Sequence, residues 1–589
     1  MIRSLFLLIC LLPSLLLAQA DNPFRTNRPD YPNYAAFSGV RWNDGKPSVM
    51  VEGTWGEFIS INGVSAKEII SWCNKHVGPR DAEKRFREDL PVVLELLGHK
   101  VPLKTKVQFR VDGEVITQMV TMTEENRKSL KRNNHKPPVI KVPQNQQITI
   151  FENILVNRFA YFETNSAAWS EPLAALKKRE HLSENELAFE LNRIMALFID
   201  GHASVSGSDN ILARPAGKLP ILIEPTNDRF VAFDAERKAL IHDQFPFLTE
   251  IDGIPLSMWI EGCTPFFPKG SPQYSIRHAL RQIRHLNFCR QQLKLPLHPN
   301  VRLTLTNPAR DQTYTLELPV SKRMPGYGKW PRATAKDSHI LDNNIGYLRL
   351  DSMNEEAERA LAEWMPKFRD TSGLIIDVRD NGGGSRRALL DLASWLIEPN
   401  DPPHIANVAK YRRWKDFGSN HLEVRFMARA DDPRWSPADQ RAITAFAKKF
   451  NPEWQPDSVK FSDWHYLLLT QSKEKRPFTY RKPVVILQNA KCFSATDIFL
   501  GALKGWKSNI TLLGTSSGGG SARSIRHSIT EQLQIRCASM ASFQPNGKLY
   551  DGNGIIPDII VHPEPSSFLH GSEDNQLKAA MELIKSDQD

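Results

Sequence analysis

The chain has 589 residues, 41% of them hydrophobic and 24% charged. It is too long for one ordinary domain, and its composition is that of a globular protein rather than a disordered or fibrous one. Its 76 Lys and Arg against 66 Asp and Glu give a formal net charge of +10. The basic residues are spread along the chain with no block and no interleaved aromatics, which argues against nucleic acid as a partner and leaves solubility or affinity for an envelope surface.

The first residues, "MIRSLFLLICLLPSLLLAQA", carry a basic start at Arg3, an apolar run over 4–17 and a small-residue site at Ala18-Gln19-Ala20. This predicts a signal peptide over 1–20 and an exported protein, periplasmic or secreted. The apolar run is short for a spanning helix, and Cys10 lies inside it rather than at a lipoprotein cleavage site. The mature chain keeps Cys73, Cys263, Cys289, Cys492 and Cys537. An odd, sparse set is not a disulfide framework, although Cys263 and Cys289 suit one bridge in an oxidising compartment.

Two segments repeat. "FISINGVSAKEIISWC" (58–73) and "LTEIDGIPLSMWIEGC" (248–263) align without a gap, each after a strand-like aromatic stretch and before a helical stretch and an alternating one. The alternation predicts strands, and the repeat predicts two copies of one small mixed module, over 31–125 and 213–325. An "ING" or "IDG" turn ahead of a helix, with a late hairpin, resembles PDZ domains, which capture chain ends by strand addition. A proline-rich linker is expected over 126–146. A helical domain is expected over 147–212, its clearest helix starting after Leu182-Ser183 and carrying Leu187, Leu191, Ile194, Met195 and Phe198 on one face. That helix runs into "DGHAS" (200–204), a turn signature holding His202.

From 335 to 565, apolar strand patterns alternate with helices, which predicts a parallel α/β core. Residues 415–475 interrupt it with an aromatic-rich insert expected to form its own small core, and 566–589 are expected as a C-terminal tail. Within the core, Ser494 follows the apolar run "PVVILQN" and opens a helix. With Asp497 three residues on, it reads as a capping box. The same position, among the free N–H groups of a helix start, also suits a nucleophile beside an oxyanion site. Cys492 nearby reads as a buried structural thiol.

Four stretches in order, "DGHAS" (200–204), "IIDVRDNGGG" (375–384), "NAKCFSATDIFLGAL" (489–503) and "NGKLYDGNGIIPDIIV" (546–561), resemble the tail-specific, or C-terminal processing, serine peptidases of family S41, over about residues 147–565. That family includes tricorn-like enzymes and the interphotoreceptor retinoid-binding repeats. The resemblance implies a ClpP/crotonase-like core with a helical N-terminal domain and PDZ-like modules. It implies Ser494 as nucleophile and the N–H groups of Gly383 and Ala495 as oxyanion hole. It also implies peptide or protein substrates and neither a metal nor an organic cofactor. The lysine base of the processing branch has no counterpart, because the corresponding loop reads "GTSSGGGSAR" and no lysine occurs from 508 to 547. The tricorn-like branch points instead to His202 as base, with Asp551 near the family's acidic position; a neutral imidazole oriented by a carboxylate suits that task near neutral pH. Two departures stand out. Gly201 replaces a serine that the tricorn-like enzymes carry before the histidine, and Asp551 is one carbon shorter than the usual glutamate. His202 also reads as a structural histidine capping the helix that ends there. Arg523 reads as a clamp for a substrate carboxylate or as a surface charge.

The leading expectation is an exported serine endopeptidase working through an acyl-enzyme by Ser/His/acid rather than Ser/Lys catalysis. The alternative is a non-catalytic protein binding a peptide or apolar ligand on the same fold. A crotonase-like acyl-CoA enzyme would share the core but have no use for the PDZ-like modules.

Overall fold

In the computed structural model, residues 34–43, 46–77, 79–132, 142–164, 169–207, 215–327, 337–414, 421–471, 476–530 and 532–586 are described. The predicted signal peptide, residues 133–141 of the expected linker and residues 415–420 and 472–475 of the insert lie outside them. The chain divides into two compact units, one ending at Lys141 and one starting at Val142.

The first unit holds a five-strand antiparallel path, Gly39–Asn43, Lys46–Val51, Thr54–Ile61, Lys104–Val111 and Glu114–Thr121, with helices Ala66–His76 and Pro79–Leu96 inserted after the third strand. Within the second unit, Leu222–Thr226, Arg229–Phe233, Phe247–Ile251, Asn300–Thr306 and Thr313–Pro319 form a sheet of the same order, again with the helices after the third strand. The third strands carry the same irregularity, a register shift at Phe58/Ser60 and at Leu248/Glu250. The Asn62-Gly63 and Asp252-Gly253 turns both have positive φ, 50° and 86° against 54° and 71°. Asn and Asp tolerate that conformation and Gly has no Cβ to oppose it, so the repeated dipeptide fixes the repeated turn. In both copies the Asx carboxyl or amide oxygen then accepts a backbone N–H from the fourth strand, Lys106 at 2.9 Å and Arg302 at 3.2 Å.

The core sheet of the second unit runs His339–Leu341, Ile345–Arg349 (β1), Gly373–Asp377 (β2), Val484–Gln488 (β3), Ile510–Gly514 (β4) and Ile559–Ile560, parallel from β1 onward. Strands β1 to β3 are buried at every residue, as continuous apolar runs require when both faces are covered. Leu348, Ile376, Ile486 and Leu512 face one layer. Tyr347, Ile375, Val485 and Leu513 face another, where they meet Ala580 and Ile584. Those two residues belong to helix Asn575–Ser586, so the described part of the expected tail, 566–586, is packed: its apolar stripe closes the second face of the sheet. Asp574, just before that helix, accepts from Arg379 at 2.6 Å, and Arg379 also pairs with Asp377 at the end of β2.

The insert forms a small cluster of its own, as expected: Ile443, Tyr466 and Leu468 pack with Trp435, Phe446 and Trp464, and the cluster takes in Ile405 and Val408 of strand His404–Tyr411. The expected linker is partly helical, with Glu124–Arg132 and Gln144–Arg158 entering it from either side. Helix Glu184–Met195 (α1) starts at Ser183 in a full capping box with Glu186. Its buried face joins Ile535, Cys537, Ala538 and Phe543 in one cluster, and Ser204–Ser206 pairs antiparallel with Gln534–Ala538. The helical segment is thereby bonded to the core, and this carries His202 across the sequence.

Candidate active site

Ser494 sits between β3 and helix Ala495–Leu503 (α2). Its backbone is at φ 62°, ψ −119°, and its side chain makes no capping bond. An N-cap residue has extended backbone, so the capping-box reading fails on geometry. The carboxylate of Asp497 is engaged by the loop beyond β4, accepting from Ser517 Oγ at 2.5 Å and from the N–H groups of Gly519 and Gly520 at 3.1 and 3.0 Å. Burial raises the Asp497 carboxyl to about 7. Asp497 is therefore an anchor for the glycine loop that replaces the family's lysine loop. With its positive φ, Ser494 resembles a residue on a strained strand-to-helix turn that pushes its hydroxyl out of the helix.

The glycine loop after β2 reaches the same point. Gly383 has φ 96°, and a Cβ there would lie 2.5 Å from Phe493 O, 2.6 Å from Ser494 Cβ and 2.7 Å from Ala495 N. Only a residue without a side chain fits. Asn381 fixes the loop: its Oδ1 accepts from Gly383 N–H at 2.9 Å and from Thr496 Oγ1 at 2.7 Å, its Nδ2 donates to Leu350 O at 2.9 Å, and its carbonyl accepts from Phe493 N–H at 3.1 Å. Ala495 is the first residue of α2, where N–H groups have no partner inside the helix.

The His202 ring lies against Phe493, the residue before Ser494, with ring centroids 4.6 Å apart. Phe493 also stacks on Tyr274 of the second repeat module at 5.1 Å, and Tyr274 Oη donates to Gly201 O at 3.0 Å. A Cβ at Gly201 would meet Phe493 Cζ at 2.6 Å, so this aromatic occupies the space that a serine before the histidine would need. His202 N–H donates to Asp200 Oδ1 at 2.9 Å, and Asp200 Oδ2 accepts from Ala538 N–H at 2.8 Å. Asp551 Oδ2 accepts from Tyr161 Oη at 2.8 Å and from Ser521 N–H at 3.1 Å.

Ligand-capable atoms of Asp200, His202 and Asp551 lie within 4.8 Å of one another, and this is the group among the described residues whose spacing would suit a metal ion. The same spacing suits a hydrogen-bonded relay. His202 Nδ1 lies 3.9 Å from Asp200 Oδ1, and both His202 Nδ1 and Asp551 Oδ1 are buried without a hydrogen-bond partner. Burial, with Arg536 and Arg425 nearby, lowers the imidazole to about 3, so the ring is neutral at neutral pH. Burial raises Asp200 to about 6, and burial followed by the charge of Asp200 raises Asp551 to about 8. A carboxylate bonded to Nδ1 would fix which ring nitrogen carries the proton, and an ionised one would leave Nε2 free as a base.

Two further groups are placed by the structure. Lys491, three residues before Ser494, has its Nζ 2.7 Å from Asp380 and 3.6 Å from Glu224, so it is held as a paired cation. Arg523 Nη1 contacts His421, at Nδ1 (3.0 Å) and at the carbonyl oxygen. Cys492 donates to Val378 O at 3.0 Å, and burial pushes its thiol far up, as expected of a structural cysteine. Cys263 and Cys289 are free thiols with sulfurs 3.5 Å apart. Sequence reasoning missed Asn381, Tyr161, Asp200 and Phe493. Asn381 and Asp200 lie inside motifs quoted for their neighbours; Tyr161 carries no local signal at all.

A serine on a strained turn at a helix start, with a glycine loop packed on it and a buried histidine beside it, defines a serine-type hydrolase. Residues 344–561 match the model of peptidase family S41. The match spans the segment that carries Gly383, Ser494 and Asp551, and over it the chain is similar to the serine-type peptidases of that family. The structure of mature CPAF is similar, at 15% identity and a TM-score of 0.51, over 75% of this chain and 95% of that one. Mature CPAF complexed with lactacystin gives 16% identity and 0.48 over 75% and 97%. The photosystem II D1 C-terminal processing protease gives 13% and 0.35 over 72% and 93%. No curated protein matches the chain in sequence.

Proposed function

We propose that this peptidase is exported and cleaves peptides or protein C-terminal tails by Ser/His/acid catalysis, with Ser494 as nucleophile, His202 as base and Asp551 as the orienting acid. The observation that carries this reading is the meeting of the strained, uncapped Ser494 with the Gly383 loop on one side and, through Phe493, His202 on the other. Ser494 Oγ attacks the scissile carbonyl carbon while His202 Nε2 takes its proton. The C–N bond then breaks, and the same proton leaves on the amine. Water, deprotonated by His202, hydrolyses the acyl-serine and returns the proton to Oγ. The Ala495 N–H is the free oxyanion donor. The Gly383 N–H joins it by exchanging Asn381 Oδ1 for the developing oxyanion. Export rests on the leader sequence, and substrate capture by strand addition to the PDZ-like modules rests on their repeat topology.

A fluorophosphonate probe is expected to label Ser494 and no other serine. His202→Ala is expected to lower kcat by roughly 10³-fold or more while KM changes little. Full turnover in that variant would remove His202 from the mechanism. Absence of both labelling and turnover in the wild type would leave the ligand-binding reading in its place.

A further inference from the structure

Asp200, His202 and Asp551 offer one nitrogen and two carboxylate oxygens that all lie within 4.8 Å of one another. Three donors held about 2.1 Å from one ion sit about 3.4 Å apart in a tetrahedral arrangement, and His202 Nδ1 is already 3.9 Å from Asp200 Oδ1. The group is enclosed: the side chains of His202 and Asp200 are 10% and 0% exposed, and Asp551 is 1% exposed. Two of its atoms have nothing to bond. His202 Nδ1 and Asp551 Oδ1 are buried without a partner, and so is Oγ of Ser521, whose N–H donates to Asp551 Oδ2 at 3.1 Å. The carboxylates themselves are held in place, Asp200 by the N–H groups of His202 and Ala538 at 2.9 and 2.8 Å and Asp551 also by Tyr161 Oη at 2.8 Å. Bonds of this kind orient ligating carboxylates at metal sites. A cation among the three groups would engage both unpartnered atoms and neutralise two buried carboxylates that otherwise face each other.

We propose that Asp200, His202 and Asp551 bind Zn²⁺ and that the bound ion switches the peptidase off. The binding site stands on its own geometry; the switch rests on the reading of His202 as base. One imidazole nitrogen with two carboxylates suits a borderline ion such as Zn²⁺, whereas Ca²⁺ and Mg²⁺ take about six or more oxygens. The switch follows from the ring. Zn²⁺ takes the lone pair of Nδ1, so the proton of the neutral imidazole stays on Nε2, and Nε2 has no lone pair left to accept the proton of Ser494. Asp551 is withdrawn from its orienting task at the same time. The ion occupies no atom that the peptide needs for binding, so it lowers kcat and leaves KM nearly unchanged.

The test is calorimetric titration of untagged Ser494→Ala protein with Zn²⁺, and with Ca²⁺ and Mg²⁺ as controls. One tight Zn²⁺ per chain is expected, and no tight Ca²⁺ or Mg²⁺. Adding His202→Ala should weaken the Zn²⁺ by more than the roughly 10- to 100-fold that loss of an outer-shell partner costs. Its urea midpoint without metal checks the fold, and Asp551→Asn, of the same size, takes its place if that variant does not fold. Zn²⁺ binding that is equal in these variants is adventitious surface binding and overturns the site, as does the absence of tight binding. In an active wild type, saturating Zn²⁺ should lower kcat by roughly 10²-fold or more and suppress fluorophosphonate labelling, and a chelator should restore both. Zn²⁺ that binds through His202 and yet leaves turnover intact would overturn the switch, removing His202 from the mechanism while the metal site stands. If the wild type neither labels nor turns over, the calorimetry decides the site by itself.

Discussion

Ser494 holds φ 62° and ψ −119°, a conformation open to glycine and strained by about 1–3 kcal/mol for a residue with a Cβ. Ser494→Gly removes that strain. Against this stands the extra freedom of glycine in the unfolded chain, about 0.5–1 kcal/mol. Ser494→Ala keeps both the Cβ and the strain, and because the wild-type hydroxyl makes no capping bond, neither variant loses a cap. Gly is therefore expected to exceed Ala in stability by about 1 kcal/mol, although both lose the nucleophile. Paired urea titrations read the difference directly, and the melting temperature should differ by roughly 1–2 °C for a protein of this size. Neither variant takes up a fluorophosphonate. A glycine variant that unfolds at or below the urea midpoint of the alanine variant would refute the argument that the turn is strained to project the hydroxyl.

Gly383→Ala places a methyl 2.5–2.7 Å from the backbone and Cβ of the Phe493–Ala495 turn, so it should lower turnover by roughly 10²-fold or more and destabilise by about 1–3 kcal/mol, measured by peptide kinetics and urea unfolding. Asp551 has its acid constant raised from 3.8 to about 8 by burial. The folded state then binds a proton that the unfolded state has released, and the stability this group provides is present below about pH 4 and lost as pH rises through about 8, at up to roughly 1.4 kcal/mol per pH unit. Asp551→Asn removes that loss, so unfolding midpoints of the variant should gain on the wild type between pH 5 and 8; a constant difference would contradict the burial argument. Over the same range wild-type kcat should rise with pH as Asp551 ionises and frees Nε2 of His202, while Asp551→Asn lowers kcat and flattens that limb.

Much of the architecture was legible because it is written locally. The buried strands read as continuous apolar runs, the Asn-Gly and Asp-Gly turns marked the repeat, and glycines after β2 marked a close approach that Gly383 makes against Ser494. What depended on distant partners was not legible. Asp497 looked like the last residue of a capping box because spacing cannot reveal that Ser517, Gly519 and Gly520 compete for it more strongly. Tyr161, Phe493 and Tyr274 are ordinary aromatics until the fold stacks or bonds them beside His202 and Asp551. Residues 566–589 looked like a tail because one short amphipathic helix has no meaning without the sheet face it covers.

His202 lies against Phe493 and near Asp551, and two residues beyond it Ser204–Ser206 pairs with Gln534–Ala538. That pairing has a consequence during synthesis. Roughly 350 residues separate His202 from Asp551, which at about 5–20 residues per second is some 20–70 s of translation. Throughout that interval the growing chain carries a histidine without its strand partner, and later a serine without its acid. Any truncated product of an interrupted ribosome ends before position 551 or lacks the helix that covers the sheet. Under the proposed Ser/His/acid mechanism, the spacing of the three segments acts as a safeguard in time: hydrolytic capacity arises only once nearly the whole polypeptide exists.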